Sequence, residues 1–139
     1  MVLRAFPLLS IIVLLFPMFV FTFASPPLLV LKHDTPVDGG FVRNLFNIYY
    51  IVVMALGAIG AAGCLYLGRT GQALAMGGVI VFVFLLRRWV LAKMDGLRDA
   101  INRGEPMAVR RFRRLHIGGT AFNVVQLGVV AWGLTRFVG

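Results

Sequence analysis

Four apolar stretches, separated by short clusters of charged residues, make up most of this chain. They lie at residues 5–31, 44–68, 70–86 and 117–135 and hold 27, 25, 17 and 19 residues without a charge. An α-helix needs roughly 20 apolar residues to cross the hydrocarbon core of a bilayer. The third stretch is shorter, but the long side chains of Arg87 and Arg88, which follow it, can reach the headgroups. The pattern therefore predicts an all-α bundle of four transmembrane helices.

The apolar stretches leave little chain for a separate soluble domain. We predict one integral membrane domain over residues 1–139, with spans at about 6–31, 44–68, 72–92 and 114–137. Composition agrees, because 60% of the residues are hydrophobic and the mean hydropathy is +0.90. The first span superficially resembles a signal peptide. Its apolar run is longer than the hydrophobic core of a usual signal peptide and continues past Ser25, so we expect it to be retained.

The charged region between the third and fourth stretches keeps a helical spacing of apolar residues. Gly104 then supplies a helix stop, and Pro106 supplies a helix start. Helices over 72–103 and 106–137 would each be about 48 Å long, which exceeds the bilayer thickness. Helices 3 and 4 are therefore predicted to extend as an antiparallel cytoplasmic hairpin at about 93–113.

Positive charge is concentrated beside this hairpin. The net charge is +9, and nine of the fourteen basic residues lie between Arg87 and Arg114. With four spans, eleven basic residues fall on one side of the membrane and three on the other. Lys and Arg resist translocation, so we expect the basic side to be cytoplasmic and both termini to lie outside. The expected partners of these cations are anionic lipid headgroups, not nucleic acid.

The hairpin also predicts ion pairs between its two helices. Folding the chain about the turn at Gly104 places Asp95 opposite Arg114 and Asp99 opposite Arg110. Exposed pairs of this kind contribute about 0–1 kcal/mol each, so they would set the register of the hairpin more than its stability.

Small residues recur at four-residue spacing in the second span. The predicted helix-packing residues are Gly57, Gly60, Ala61 and Cys64. Small side chains allow helix backbones to approach closely in lipid, so this surface is expected to pack inside the bundle. A seam with a partner subunit or a second copy is the alternative. Because Cys64 is the only cysteine, an internal disulfide is excluded.

The fourth span carries a polar stripe in which His116, Thr120 and Asn123 share one helix face. With Arg87 and Gln126, His116 and Asn123 form a predicted ligand-binding patch between spans 3 and 4. One interpretation is a proton, ion or small-ligand site, and the other is hydrogen bonding between helices. His116 could also serve as an axial haem ligand, although no span contains a second histidine.

The sequence contains no recognisable enzyme motif. We find no nucleophile–base arrangement, phosphate-binding loop or dinucleotide fingerprint, and no predicted span contains Asp or Glu. We therefore predict a non-enzymatic protein with no catalytic residues, no metal site and no cofactor. The leading hypothesis is an accessory or scaffold subunit, with other membrane subunits or a second copy as partners. The alternatives are a transport or resistance protein that uses the polar patch, and a haem-binding redox protein.

The last helix also resembles a known family. The carrying residues are Phe112-Arg113-Arg114-Leu115-His116, Asn123 and Gln126-Leu127, with weaker echoes at Pro27, Leu45-Phe46 and Tyr49. They resemble the transmembrane-protein-205-like family of four-helix membrane proteins, whose bacterial members have no assigned biochemistry. Eukaryotic relatives are associated with resistance to metal-containing drugs, which implies transport or trafficking. The layout is also similar to copper-resistance and haem-binding four-helix proteins. With the charge asymmetry, the resemblance implies a bacterial inner membrane.

Overall fold

The chain folds into four long helices, as the sequence predicted. The computed structural model describes residues 2–30, 32 and 35–138. They form α1 (Val2–Ala24), a 3-10 helix (Pro26–Val30), α2 (Pro36–Tyr66), α3 (Thr70–Asn102) and α4 (Ala108–Val138). No strand occurs among the described residues. Each α-helix is long and apolar enough to cross a bilayer, so the structure is consistent with a small integral membrane protein.

The four helices close into a ring. Consecutive helices pack side by side and α1 also packs on α4, while α1 lies across the ring from α3 and α2 from α4. The α2–α3 contact is the most extensive of the four, and the α3–α4 contact is the least extensive. Phe46, Met94 and Phe112 are fully buried between the helices, whereas Phe16 on the outer surface is 71% exposed. An outer surface of large apolar side chains is what contact with lipid requires.

Two glycines make the short turns that join α2 to α3 and α3 to α4. Gly68 has φ 71° and Gly104 has φ 80°, which are left-handed conformations that favour glycine. In the first turn, the Arg69 amide donates to the Cys64 carbonyl at 2.8 Å. In the second, the Glu105 amide donates to the Ala100 carbonyl at 3.1 Å. Both glycines therefore end their helices in the way that the sequence predicted at Gly104.

The start of α2 differs from the prediction. The predicted second span begins at about 44, whereas α2 begins at Pro36. Thr35 is the N-cap, and its hydroxyl oxygen accepts a hydrogen bond from the Asp38 amide at 3.2 Å. Proline at the first helical position and an acidic residue in the first turn are both favourable at a helix N-terminus. Both signals for a helix start are present in the sequence, and α2 forms despite the low helix propensity of Gly39 and Gly40.

We call the end of the bundle near the α3–α4 turn, where most basic residues lie, the basic end. Because α2 begins early, this end contains three helices and not a two-helix hairpin. Val42 of α2, Met94 of α3 and Phe112 of α4 are each fully buried and belong to one hydrophobic cluster. The first turns of α2 therefore cover part of α3 in a region where the predicted hairpin paired α3 with α4 alone.

This third helix changes the predicted ion pairs. Asp95 does not pair with Arg114 but accepts two hydrogen bonds from the guanidinium of Arg43 on α2, at 2.8 and 3.1 Å. Arg98 lies 3.9 Å from the same carboxylate. Between Asp99 and Arg110, both within the described range, the structure forms no ion pair. The correction has a simple cause: Asp95 lies on the face of α3 that α2 covers.

The small residues of α2 face neighbouring helices. A Cβ atom on Gly57 would lie 3.1 Å from the Ile80 side chain of α3, and one on Gly60 would lie 2.9 Å from the Met76 side chain. Cys64 is buried on the same helix, while Ala61 is only partly buried. The absence of side chains at Gly57 and Gly60 therefore allows α2 and α3 to approach closely.

Candidate functional site

Polar side chains from α1, α2 and α4 meet inside the bundle, and we term this group the buried polar cluster. Its members are Thr22, Ser25, Tyr49, His116, Thr120 and Asn123. Ser25 and His116 have no exposed surface, and Asn123 is 1% exposed. Uncompensated polar groups at such positions are costly, so the partners of each atom decide what the cluster can do.

The part of the cluster nearer the basic end joins the end of α1 to α4. Ser25 Oγ lies 2.9 Å from His116 Nε2 and 2.6 Å from Thr120 Oγ1, and the Thr120 hydroxyl donates to the His116 carbonyl at 2.9 Å. Each hydroxyl has one proton to donate. If all three bonds form together, the Ser25 hydroxyl donates to Thr120 Oγ1 and His116 Nε2–H donates to Ser25 Oγ. The arrangement therefore assigns a proton to Nε2 of His116.

The deeper part of the cluster is centred on Asn123. The Tyr49 hydroxyl donates to Asn123 Oδ1. Asn123 Nδ2 donates to Thr22 Oγ1 at 2.6 Å and to the Met18 carbonyl at 3.1 Å. One acceptor and two donor positions of the amide are thereby used, and three helices are held together. The Tyr49 ring stacks on Phe21 with 4.1 Å between ring centroids, which fixes the direction of its hydroxyl.

The other two residues of the predicted patch lie elsewhere. Arg87 donates two hydrogen bonds to Asn47 Oδ1 of α2, at 2.7 and 3.0 Å. Gln126 is partly buried in a cavity between α3 and α4 and has no hydrogen-bond partner within the part of the chain that the structure describes. The structure thus places His116 and Asn123 on the same buried face of α4, each with its own partners, and separates Arg87 and Gln126 from them. For His116 and Asn123, the predicted location between spans 3 and 4 was wrong, because their face of α4 points toward α1 and α2.

Several partners in these contacts were not predicted from the sequence. Thr22 and Ser25 are three residues apart on one side of the first span, which is a weak signal for a polar helix face. Asn47 follows Arg43 by one helical turn, so the two polar residues lie on the same face of α2. Tyr49 contributed only weakly to the family resemblance, and nothing near it in sequence indicates a partner 74 residues away.

The buried polar cluster is better suited to holding helices together than to binding a ligand. Its hydroxyl, imidazole and amide groups bond one another or the main chain, and its α4 members are nearly or fully enclosed. Among the described residues, no group of three or more His, Cys, Asp or Glu side chains could hold a metal ion. What the arrangement does is connect α1, α2 and α4 through directional bonds.

Comparisons with protein-family models, with curated proteins and with solved structures found no match for this chain. The resemblance of its last helix to the transmembrane-protein-205-like family therefore stays a prediction from the sequence.

Proposed function

We propose that this chain is a non-enzymatic integral membrane protein that acts as an accessory or scaffold subunit of a larger membrane complex. The supporting observation is the closure of the buried polar cluster. Asn123 and His116 bond partners within the same chain, and neither is accessible to a substrate in this conformation. The polar groups that could have served transport thus serve the architecture of the bundle, and the outer apolar surface is left for interactions in the membrane.

The test is native mass spectrometry of the full-length tagged chain, released from its own membranes with a mild detergent at native expression level. The expected result is a defined assembly heavier than the chain, with the same extra subunit at constant stoichiometry. An unrelated four-helix membrane protein with the same tag and expression level serves as the control for carry-over. A bare monomer or homo-oligomer in repeated preparations contradicts the proposal.

A transport function is the second candidate, and the burial of His116 at membrane depth is the observation that favours it. The test uses proteoliposomes that contain a pH-sensitive dye, with a potassium diffusion potential driving protons inward. A flux that disappears in the variant with both His116→Ala and Asn123→Ala, while the bundle stays folded, supports proton movement through the cluster. Absence of proton flux in the unmodified chain rejects proton transport through the cluster.

The haem alternative is tested by the absorption spectrum of the purified protein. A preparation from haem-replete cells should show a Soret absorption band if His116 is an axial ligand. The band should then disappear in His116→Ala. A colourless preparation of the unmodified chain removes this alternative.

We further propose that the basic end of the bundle faces the cytoplasm of a bacterial cell and that both termini lie outside. Most basic residues lie at this end, which is the supporting observation. In a Cys64→Ser background, Gly71→Cys places a single thiol in the first turn of α3, and Glu105→Cys places one in the connection that follows its other end. A membrane-impermeant maleimide should label position 71 in intact cells and position 105 only after lysis. The reverse pattern contradicts this orientation.

A further inference from the structure

The α3–α4 seam is the loosest helix contact in the ring, and it contains two cavities. One has a volume of about 470 Å³ and the other about 240 Å³, and Phe122 lines both. The rings of Phe82 and Phe122 lie 5.8 Å apart across the seam. Together the two cavities form an open groove along the surface that would face lipid, which we term the seam groove.

Each wall of the seam groove is one face of a helix. The α3 wall is formed by Ala75, Val79, Phe82, Leu86 and Trp89. The α4 wall is formed by Arg114, Gly118, Phe122, Val125 and Val129. These residues recur every three or four positions and so lie in line along each helix. From Ala75 to Trp89 the groove runs about 21 Å, more than half the hydrocarbon thickness of a bilayer.

The groove is apolar along most of its length and basic at one end. Arg114 lines the smaller cavity together with Trp89. The Lys93 ammonium lies 5.6 Å from the centre of the Trp89 ring. Arg114 is exposed and, among the described carboxylates, pairs with none. Tryptophan and basic side chains together are typical of the boundary between hydrocarbon and headgroups, where a phosphate would lie.

We propose that the seam groove binds one anionic phospholipid, with an acyl chain between α3 and α4 and its phosphate against Arg114. The positive charge of Arg114 favours an anionic headgroup, and the apolar part of the groove accommodates an acyl chain. Gly118 lines the smaller cavity, and a Cβ there would meet no atom within 4 Å, so the space beside it is open. This site goes beyond the proposed scaffold role and does not depend on a protein partner.

The test uses the full-length protein in a mild non-ionic detergent, with phosphatidylglycerol or phosphatidylcholine carrying the same acyl chains. Native mass spectrometry measures retained lipid, and the unfolding temperature is measured in parallel. The unmodified chain should retain one phosphatidylglycerol in preference to phosphatidylcholine. Arg114→Gln should weaken this retention by about fivefold, the effect expected for one cation near the phosphate. Arg110→Gln removes an exposed cation outside the lining residues and should leave retention unchanged.

Two glycine variants test the groove itself. Gly118→Leu fills the smaller cavity and should abolish retention of phosphatidylglycerol. Gly128→Leu adds the same side chain at another open position of α4 that lines neither cavity, and should retain it. The unfolding temperature measured without added lipid shows whether Gly118→Leu folds. If it does not fold, the comparison of Arg114→Gln with Arg110→Gln tests the proposal. Equal retention of the two lipids, equal losses at positions 110 and 114, or full retention by folded Gly118→Leu overturns the proposal.

Discussion

The hydroxyl of Tyr49 donates a hydrogen bond to the side-chain oxygen of Asn123, across the centre of the helix ring. Tyr49 belongs to α2 and Asn123 to α4, which are not neighbours in the ring. The bond therefore connects two helices whose main chains have little direct contact. Since Asn123 also bonds α1, a single amide fixes the relative positions of three helices.

Replacing Asn123 should destabilise the bundle. Asn123→Leu removes three hydrogen bonds and leaves Tyr49 without its acceptor, for an expected loss of about 1–2 kcal/mol of unfolding free energy. Reversible unfolding in mixed detergent micelles measures the change. Gln126→Leu is the matched control, because this amide has no hydrogen-bond partner in the described part of the chain. Similar losses in both variants would show that the cluster does not stabilise the fold.

Two adjacent glycines of α4 should respond oppositely to alanine. A Cβ on Gly119 would clash with Cε1 of Phe46, whose ring is fully buried and packs edge-on against Phe21. Gly119→Ala should therefore cost about 1–3 kcal/mol by overpacking. Gly118→Ala meets open space and should be neutral or stabilising by up to about 1 kcal/mol, because alanine favours helix. Thermal unfolding in one detergent compares the two, and a stable Gly119→Ala variant would contradict the packing seen here.

The Arg43–Asp95 pair should show a measurable coupling energy. Its two hydrogen bonds are well formed, but the side chains are 27% and 47% exposed, so a coupling of about 0.5–1 kcal/mol is expected. A double-mutant cycle with Arg43→Gln and Asp95→Asn measures it, and added salt should weaken it. The same cycle with Arg114→Gln and Asp95→Asn should give no coupling. Coupling to Arg114 instead of Arg43 would restore the two-helix hairpin that the sequence predicted.

The N-cap of α2 should control the first turns of that helix. Thr35→Ala removes the acceptor for the Asp38 amide and should cost about 1 kcal/mol. Hydrogen exchange of amides at the start of α2 should become faster, while exchange at the centre of the helix stays unchanged. Thr70→Ala is the control, since Thr70 begins α3 without a side-chain capping bond. Unchanged exchange in Thr35→Ala would show that packing alone defines this helix start.

The sequence by itself determined the features that depend on neighbouring residues. Apolar runs of sufficient length predict four helices because each helix satisfies its own main-chain hydrogen bonds in an apolar medium. Gly104 predicts the α3–α4 turn because its left-handed conformation is a local requirement. Thr35-Pro36 carried a helix-start signal of the same local kind, but the predicted second span began only at 44.

Only the tertiary structure decided which helix faces meet. His116 and Asn123 were identified as polar residues on one face, but the stripe cannot tell whether that face meets α3 or α1 and α2. Asp95 was expected to pair across the hairpin, and the early start of α2 gave it Arg43 instead. The physical reason is the same in both cases. Spacing along a helix fixes which side chains share a face, whereas the opposing partner depends on how all four helices pack and is distant in sequence.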